Sequence, residues 1–222
     1  MTTTQPPVIV IGAGGHGLVV AEALLCAGRE LIGFVDADAA RSGQSQLCRP
    51  VLGDDAALAR YRSRGVLLVN GVGGRGSAAE QVHGTLRWRV QQRLQAEGWR
   101  FVGVRHPSAV VSAHALVDDA AQVLAGAIVQ PGARVGCGAI VNTRALVEHD
   151  GVIGEFAHIA PGAVLCGDVR IGAQAHIGAG AVVRQGLSIG DRVIVGVGAA
   201  VVHDVAAGTV VGVPARALER RA

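Results

Sequence analysis

From Val111 to Val201 an aliphatic residue stands at every sixth position: Val111, Val117, Val123, Val129, Val135, Val141, Val147, Ile153, Ile159, Leu165, Ile171, Ile177, Val183, Ile189, Val195 and Val201. Neither an α-helix nor an alternating strand has a period of six, so the chain must turn a corner once per repeat and stack the repeats as a solenoid. Three hexapeptides make one triangular coil, and sixteen such positions give slightly more than five coils. The aliphatic side chain is expected to point inward. Small residues follow in register, with Gly172, Gly178 and Gly190 directly after it and Ala127, Ala133, Ala139, Ala145, Ala157, Ala163, Ala175 and Ala181 four after it. These small residues are expected where the backbone bends sharply.

The fold class expected is an α/β N-terminal half-Rossmann domain, residues 1–105, followed by an all-β left-handed parallel β-helix, residues 106–222. Such a helix is an exception to the right-handed rule for parallel crossovers. Half of the 222 residues are hydrophobic, which is ample for a core. Glycines and charges interrupt every apolar stretch before about 18 residues accumulate, so no membrane span is expected. Residues 1–7 lack basic residues and an apolar signal core, and Cys26, Cys48, Cys137 and Cys166 form no C-x-x-C pair. A cytoplasmic protein with reduced thiols is the expectation.

All 20 basic residues are arginine. The absence of lysine excludes the Walker phosphate loop, a pyridoxal Schiff base and the Tyr/Lys pair of short-chain dehydrogenases. A net charge of +3 is too small and too dispersed for nucleic acid. Residues 1–105 carry 12 Arg against 8 acidic residues, an excess that an anionic small molecule could use.

Val8 to Ile11 reads as a buried strand running into Gly12-Ala-Gly-Gly-His-Gly17 and a helix that stops near Ala27-Gly28. A second strand, Leu31 to Val35, ends at Asp36, which completes a G-x-G-x-x-G fingerprint on paper. The loop offers backbone N–H groups and a helix N-terminus to phosphate but says nothing of hydride transfer. Nucleotide or nucleotide-sugar binding, a nicotinamide dinucleotide and a purely structural glycine turn all remain open. About 100 residues precede the solenoid, enough for a three- or four-stranded half sheet and one nucleotide. Further βα units are read around Val51 and from Val66 to Val69, the last leading into a helix opened by the capping box Ser77-Ala-Ala-Glu80 with Val82, Leu86, Val90 and Leu94 as its spine. His16 either contacts ligand or caps the helix and faces solvent. Arg75, Arg87 and Arg89 could meet phosphate, with an exposed helix face the simpler place for Arg87 and Arg89. Trp88 and Trp99 are expected to pack between helix and sheet or against the solenoid.

Together the two halves resemble the NeuD and PglD group of sugar O- and N-acetyltransferases. The resemblance rests on Gly12-Ala-Gly-Gly-His-Gly17, Asp36, His106-Pro-Ser-Ala109, Asn142-Thr143, Glu148-His149-Asp150, Ile153-Gly-Glu-Phe-Ala-His158 and Gly212-Val-Pro-Ala-Arg216, in the family's order. It implies acetyl-CoA as co-substrate, a homotrimer, and transfer of acetyl to a nucleotide-linked 4-amino-4,6-dideoxy sugar for surface glycan synthesis. By the same resemblance Gly14, Gly15, His16 and Asp36 hold the nucleotide sugar. His149 is then the general base, and Asp150 supports it by stabilising imidazolium. His158, Gly167, Ala179, Val197 and Arg216 are the implied CoA contacts, with the Gly167 N–H at the oxyanion. His149 and His158, nine residues apart, lie on different faces of one coil and can meet only across a subunit boundary. His176 stands one coil above His158, but the spacing lacks the close histidine pair of the γ-class carbonic anhydrase zinc site, so no metal is expected. His83, His106, His114 and His203 read as isolated surface histidines. A sialic-acid-type O-acetyltransferase, a nicotinamide-dependent oxidoreductase and a non-catalytic scaffold solenoid are the alternatives.

Overall fold

The computed structural model describes residues 5–74 and 84–212. A parallel three-stranded sheet opens the chain, with β1 (Val8–Ile11) between β2 (Leu31–Val35) and β5 (Leu67–Asn70). Every residue of β1 is buried because both faces of the sheet are covered, as a central parallel strand requires. Its alternation sorts the two faces. Val8 and Val10 pack on α1 (Gly15–Cys26) through Val20 and Leu24, while Ile9 and Ile11 pack with Leu58, Leu94 and Trp99 on the other side. Isolated bridges, Phe34 to Val51 and Leu68 to Phe101, extend the two edges.

The unit expected around Val51 is smaller than a βα unit. Residues Ser45–Gln46 (β3) and Arg49–Pro50 (β4) form a short antiparallel hairpin, followed by a 3-10 helix, Asp55–Arg64. Pro50 has no N–H to donate and Gly53 takes φ +125°, so the segment supports a bridge and not a ladder. The second helix, α2, is Leu86–Ala96, with Thr85 at its N-cap accepting from the Trp88 N–H at 3.3 Å. The capping box at Ser77–Glu80 and Val82 lie outside the described residues.

A parallel β-solenoid begins at β6 (Val104–Arg105) and runs to Val210–Val211 in two-residue strands forming three sheets. Strands one coil apart are 18 residues apart, as in His158 to His176 and Val147 to Leu165. The expected inward residues form one core with the alanines, Ile159, Leu165 and Val183 being fully buried. Full burial of each such side chain contributes roughly 1.5–3 kcal/mol, against the entropy of ordering it.

The small residues do two jobs, and the expectation about them is corrected here. From Val123 to Val195 the left-handed backbone falls three residues after each aliphatic one, at Gly126, Gly132, Gly138, Arg144, Asp150, Phe156, Gly162, Asp168, Gln174, Gly180, Gly186, Arg192 and Gly198. Glycines directly after the aliphatic residue answer a different demand. A Cβ on Gly172 would lie 2.4 Å from the Asp191 backbone nitrogen of the next coil, so glycine there permits close stacking.

The N-terminal unit sits on one face of the solenoid. Val104, Leu124 and Ile140 share a core with α1 and β1, and Thr85 N–H donates to Gln174 Oε1 at 2.9 Å. Among the described residues no helix is long and apolar enough to cross a membrane.

Candidate active site

The glycine fingerprint divides into two pairs. Gly12 and Gly17 serve packing, because a Cβ on Gly17 would lie 2.0 Å from the Gly12 carbonyl oxygen. Gly14 and Gly15 face open space, with no atom within 4 Å of an added Cβ. Both line a cavity of about 550 Å³, together with His16, Asp36, Arg41 and Arg93. All four residues expected at a nucleotide-sugar site therefore share one cavity. Its floor is the N-terminus of α1, where backbone N–H groups and the helix dipole favour an anion.

Asp36 braces this loop. Its Oδ2 accepts from the Ala13 N–H at 2.7 Å and its Oδ1 from the Asp38 N–H at 2.9 Å, leaving each oxygen capacity for another donor. Arg41 Nη1 donates to the Ala13 carbonyl at 2.8 Å. Arg93 is paired with Asp55 and Glu97. Neither arginine was singled out by the sequence, where only the basic excess of the N-terminal half hinted at them.

One of the two open readings of His16 falls, and the expectation for Arg87 is overturned. His16 does not cap the helix or face solvent: the N-cap is Gly14, and the His16 ring is half-buried with Nε2 3.0 Å from Gln122 Oε1 on the solenoid. Burial, with Arg87 nearby, lowers its pKa to about 4. Arg87 does not lie on an exposed face. It is fully buried, stacks its guanidinium 5.6 Å from the Phe156 ring and donates to the Phe156 carbonyl at 3.3 Å. The N-terminal unit docks on the solenoid there, and a guanidinium is the cation most readily buried at such a contact. Trp99 is buried in the second sheet-face core as expected. His106 is tied to Ser108, His114 and His203 are exposed, and His83 and Arg75 lie outside the described residues.

His149 projects from the turn after the strand Leu146–Val147 and is about half exposed. Its Nδ1 lies 2.9 Å from Asp150 Oδ2. A carboxylate can only accept, so Nδ1 carries the proton and Nε2 of the neutral ring is left with its lone pair. The same hydrogen bond is the main cause that raises the His149 pKa above its ordinary value. Asp150 takes φ +60° at the left-handed turn position, which Asp tolerates better than most residues. One coil on, Gly167 passes beneath the ring, and among the described residues its N–H has no acceptor.

His158 is set differently. It lies on the strand His158–Ile159, is 9% exposed, and faces the N-terminal unit, its ring 6.4 Å from His16 and 4.9 Å from His176. Asn142 Oδ1 accepts from the Thr143 N–H at 2.8 Å, so the Asn142 amide turns its Nδ2 to His158 Nε2 at 3.0 Å. His158 Nε2 thus accepts and Nδ1 carries the proton. Nδ1 is buried and has no hydrogen-bond partner among the described residues. Burial is the first cause holding the His158 pKa well below its usual value, followed by His176, Arg87 and His16. His158 is thereby brought to His16 and kept on a different face from His149. Ala179 and the 73% exposed Val197 share a third location, the turn after the His176–Ile177 strand and its counterpart one coil on. Arg216 lies outside the described residues. Among those residues no group of three or more His, Cys, Asp or Glu is arranged to hold a metal ion.

Residues 7–75 match the PglD N-terminal domain, and residues 150–185 match the bacterial transferase hexapeptide (six repeats). The chain is 35% identical to PerB from Caulobacter crescentus, solved with CoA and GDP-perosamine, over 93% of both chains with a TM-score of 0.82. The chain belongs to the PglD family of hexapeptide-repeat sugar acetyltransferases. A second PglD-type relative is the acetyltransferase domain of PglB from Neisseria gonorrhoeae, solved with acetyl coenzyme A. It is 35% identical, covers 96% of this chain and 100% of its own, and has a TM-score of 0.82. WeeI from Acinetobacter baumannii is 26% identical over 96% of this chain and 100% of its own, with a TM-score of 0.67.

Within this PglD-family chain the sequence did not flag Gln122 as part of the site, and it named Arg87 only as a possible phosphate contact. Gln122 is a polar residue at an outward solenoid position whose neighbours one coil away are Val104 and Ile140. A polar residue between Val104 and Ile140, in the column that continues to His158 and His176, was the one available signal.

Proposed function

We propose that this chain transfers the acetyl group of acetyl-CoA to the amino group of a nucleotide-linked 4-amino-4,6-dideoxyhexose. The observation that carries the reading is His149, whose Nδ1 is engaged by Asp150 and whose Nε2 is left as a base on the solenoid surface. In this mechanism the sugar amine attacks the thioester carbonyl while His149 Nε2 takes its proton, and Asp150 stabilises the imidazolium. The Gly167 N–H stabilises the oxyanion of the tetrahedral intermediate. Collapse breaks the C–S bond, and the proton held by His149 passes to the departing thiolate. Nothing in the scheme needs an acyl-enzyme.

Gly14, Gly15, His16 and Asp36 would hold the nucleotide sugar in the N-terminal cavity, with His158, Ala179, Val197 and Arg216 toward CoA. A homotrimer fits this division, since His149 and His158 occupy different faces of one solenoid. It is supported by the outward residues of one sheet, Val110, Ile128, Leu146, Val164, Val182 and Ala200, which are apolar throughout. Val110 is 63% and Val182 43% exposed in the single chain, and the strand Leu146–Val147 leads directly into the His149 turn. A continuous apolar sheet face of this kind is what a neighbouring solenoid would cover.

The test is a panel of UDP-, GDP- and dTDP-linked amino sugars with acetyl-CoA, followed by release of free thiol. Turnover on at least one amino sugar, with an amide in the product, supports the reading; hydrolysis of acetyl-CoA without acceptor dependence, or an ester product, overturns it.

A further inference from the structure

Gln122 belongs to the solenoid strand Gln122–Val123 yet is 1% exposed, because the N-terminal unit covers it. Its Nε2 donates to the Asn70 carbonyl at 2.6 Å. A backbone carbonyl only accepts, so the other end of the amide, Oε1, faces His16 Nε2 at 3.0 Å. An amide oxygen also only accepts, so His16 Nε2 carries a proton. Asn70 cannot relax this arrangement. Its Nδ2 donates to the Arg87 carbonyl at 2.9 Å and to Gln91 Oε1 at 3.1 Å, while its Oδ1 accepts from the Val72 N–H at 3.1 Å.

The groups facing His16 do not favour a second proton. Arg87 and His158 are the nearby ionisable groups, and with burial they keep the ring neutral at ordinary pH. A neutral ring protonated at Nε2 has its lone pair on Nδ1. Among the described residues Nδ1 has no partner. Unlike His158 Nδ1, it is also not among the atoms sealed from solvent, and His16 lines the N-terminal cavity.

We propose that Gln122 is a positioning residue that fixes His16 as a hydrogen-bond acceptor at Nδ1, and so selects a ligand presenting a hydroxyl or amine of its sugar at that point. An ionised phosphate oxygen there would meet a lone pair. The anion is instead served by the backbone N–H groups at Gly14 and Gly15, where the helix N-terminus is open. The solenoid thereby dictates part of the specificity of a cavity built by the other half of the chain. The ligand class rests on the proposed function, whereas the tautomer does not.

The test uses the full chain with nitrogen-15-labelled histidine at pH 7.5, and matched pairs of bare and sugar-linked nucleotides: GDP with GDP-perosamine, and the UDP and dTDP counterparts. The wild type should show His16 neutral with its proton on Nε2. Gln122→Leu should mix the tautomers and weaken the sugar nucleotide roughly tenfold, while its bare nucleoside diphosphate changes by less than about twofold. Gln122→Met, of similar length and without either polar end of the amide, should likewise mix the tautomers and serves if the Leu variant does not fold. A proton on Nδ1, a charged ring, or equal weakening of both members of a pair would overturn the proposal. If no pair binds, its ligand half falls together with the proposed function; if a pair binds and acetyl is not transferred, only the proposed reaction falls.

Discussion

The His149 ring stands directly on Gly167: a Cβ on that glycine would lie 2.4 Å from Nε2 and 2.5 Å from Cε1. Gly167 takes no positive φ, so its requirement is one of space. Gly167→Ala should therefore push the imidazole off its seat while leaving the solenoid core intact. The expected result is a fall in kcat of about tenfold or more with the fold retained, measured by steady-state kinetics and circular dichroism. Retention of wild-type kcat would mean that the ring position is immaterial to turnover.

His16 and His158, at the contact between the two halves, make acid stability a second test. For His16 the folded pKa of about 4 lies below the unfolded value of 6.5, so below pH 6.5 the unfolded chain binds the extra proton more readily. Stability is therefore full above pH 6.5 and is lost as pH falls toward 4, by roughly 3 kcal/mol for this group. His158 acts in the same direction. His16→Gln should flatten the decline in denaturant unfolding between pH 6.5 and 4. An unchanged slope would contradict the burial seen at the domain contact.

Most of the architecture was legible because the six-residue period reports the solenoid geometry directly. Inward Ile159 and Leu165, the parallel three-stranded sheet and the cavity at Gly14, Gly15, His16 and Asp36 all follow from local pattern. What was not legible depends on contact between the halves. Arg87 reads as a surface helix residue until Phe156 covers it, and His16 reads as a loop histidine until Gln122, 106 residues away, accepts from it. The spacing of glycines likewise could not separate a left-handed turn at Gly132 from close stacking at Gly172, since glycine satisfies both.

The apolar column on one outer sheet makes the assembly testable. Val182→Asp places a charge at a position 43% exposed in the single chain, so the monomer should still fold. If the column is the contact between solenoids, light scattering should show a shift from three times 22.5 kDa toward one, with loss of activity in parallel. An intact trimer with full turnover would move the interface elsewhere.

The central claim, that His149 is the base, is tested most directly by the pH dependence of kcat/KM in the wild type, Asp150→Asn and His149→Ala. The Asp150 hydrogen bond raises the His149 pKa, so Asp150→Asn should move the acidic limb to lower pH, and His149→Ala should remove it and lower kcat by about 10²–10⁴ with CoA binding retained. The substrate amine titrates independently and is measured alongside. A His149→Ala enzyme within a few-fold of wild type, with its acidic limb unmoved, would contradict the account.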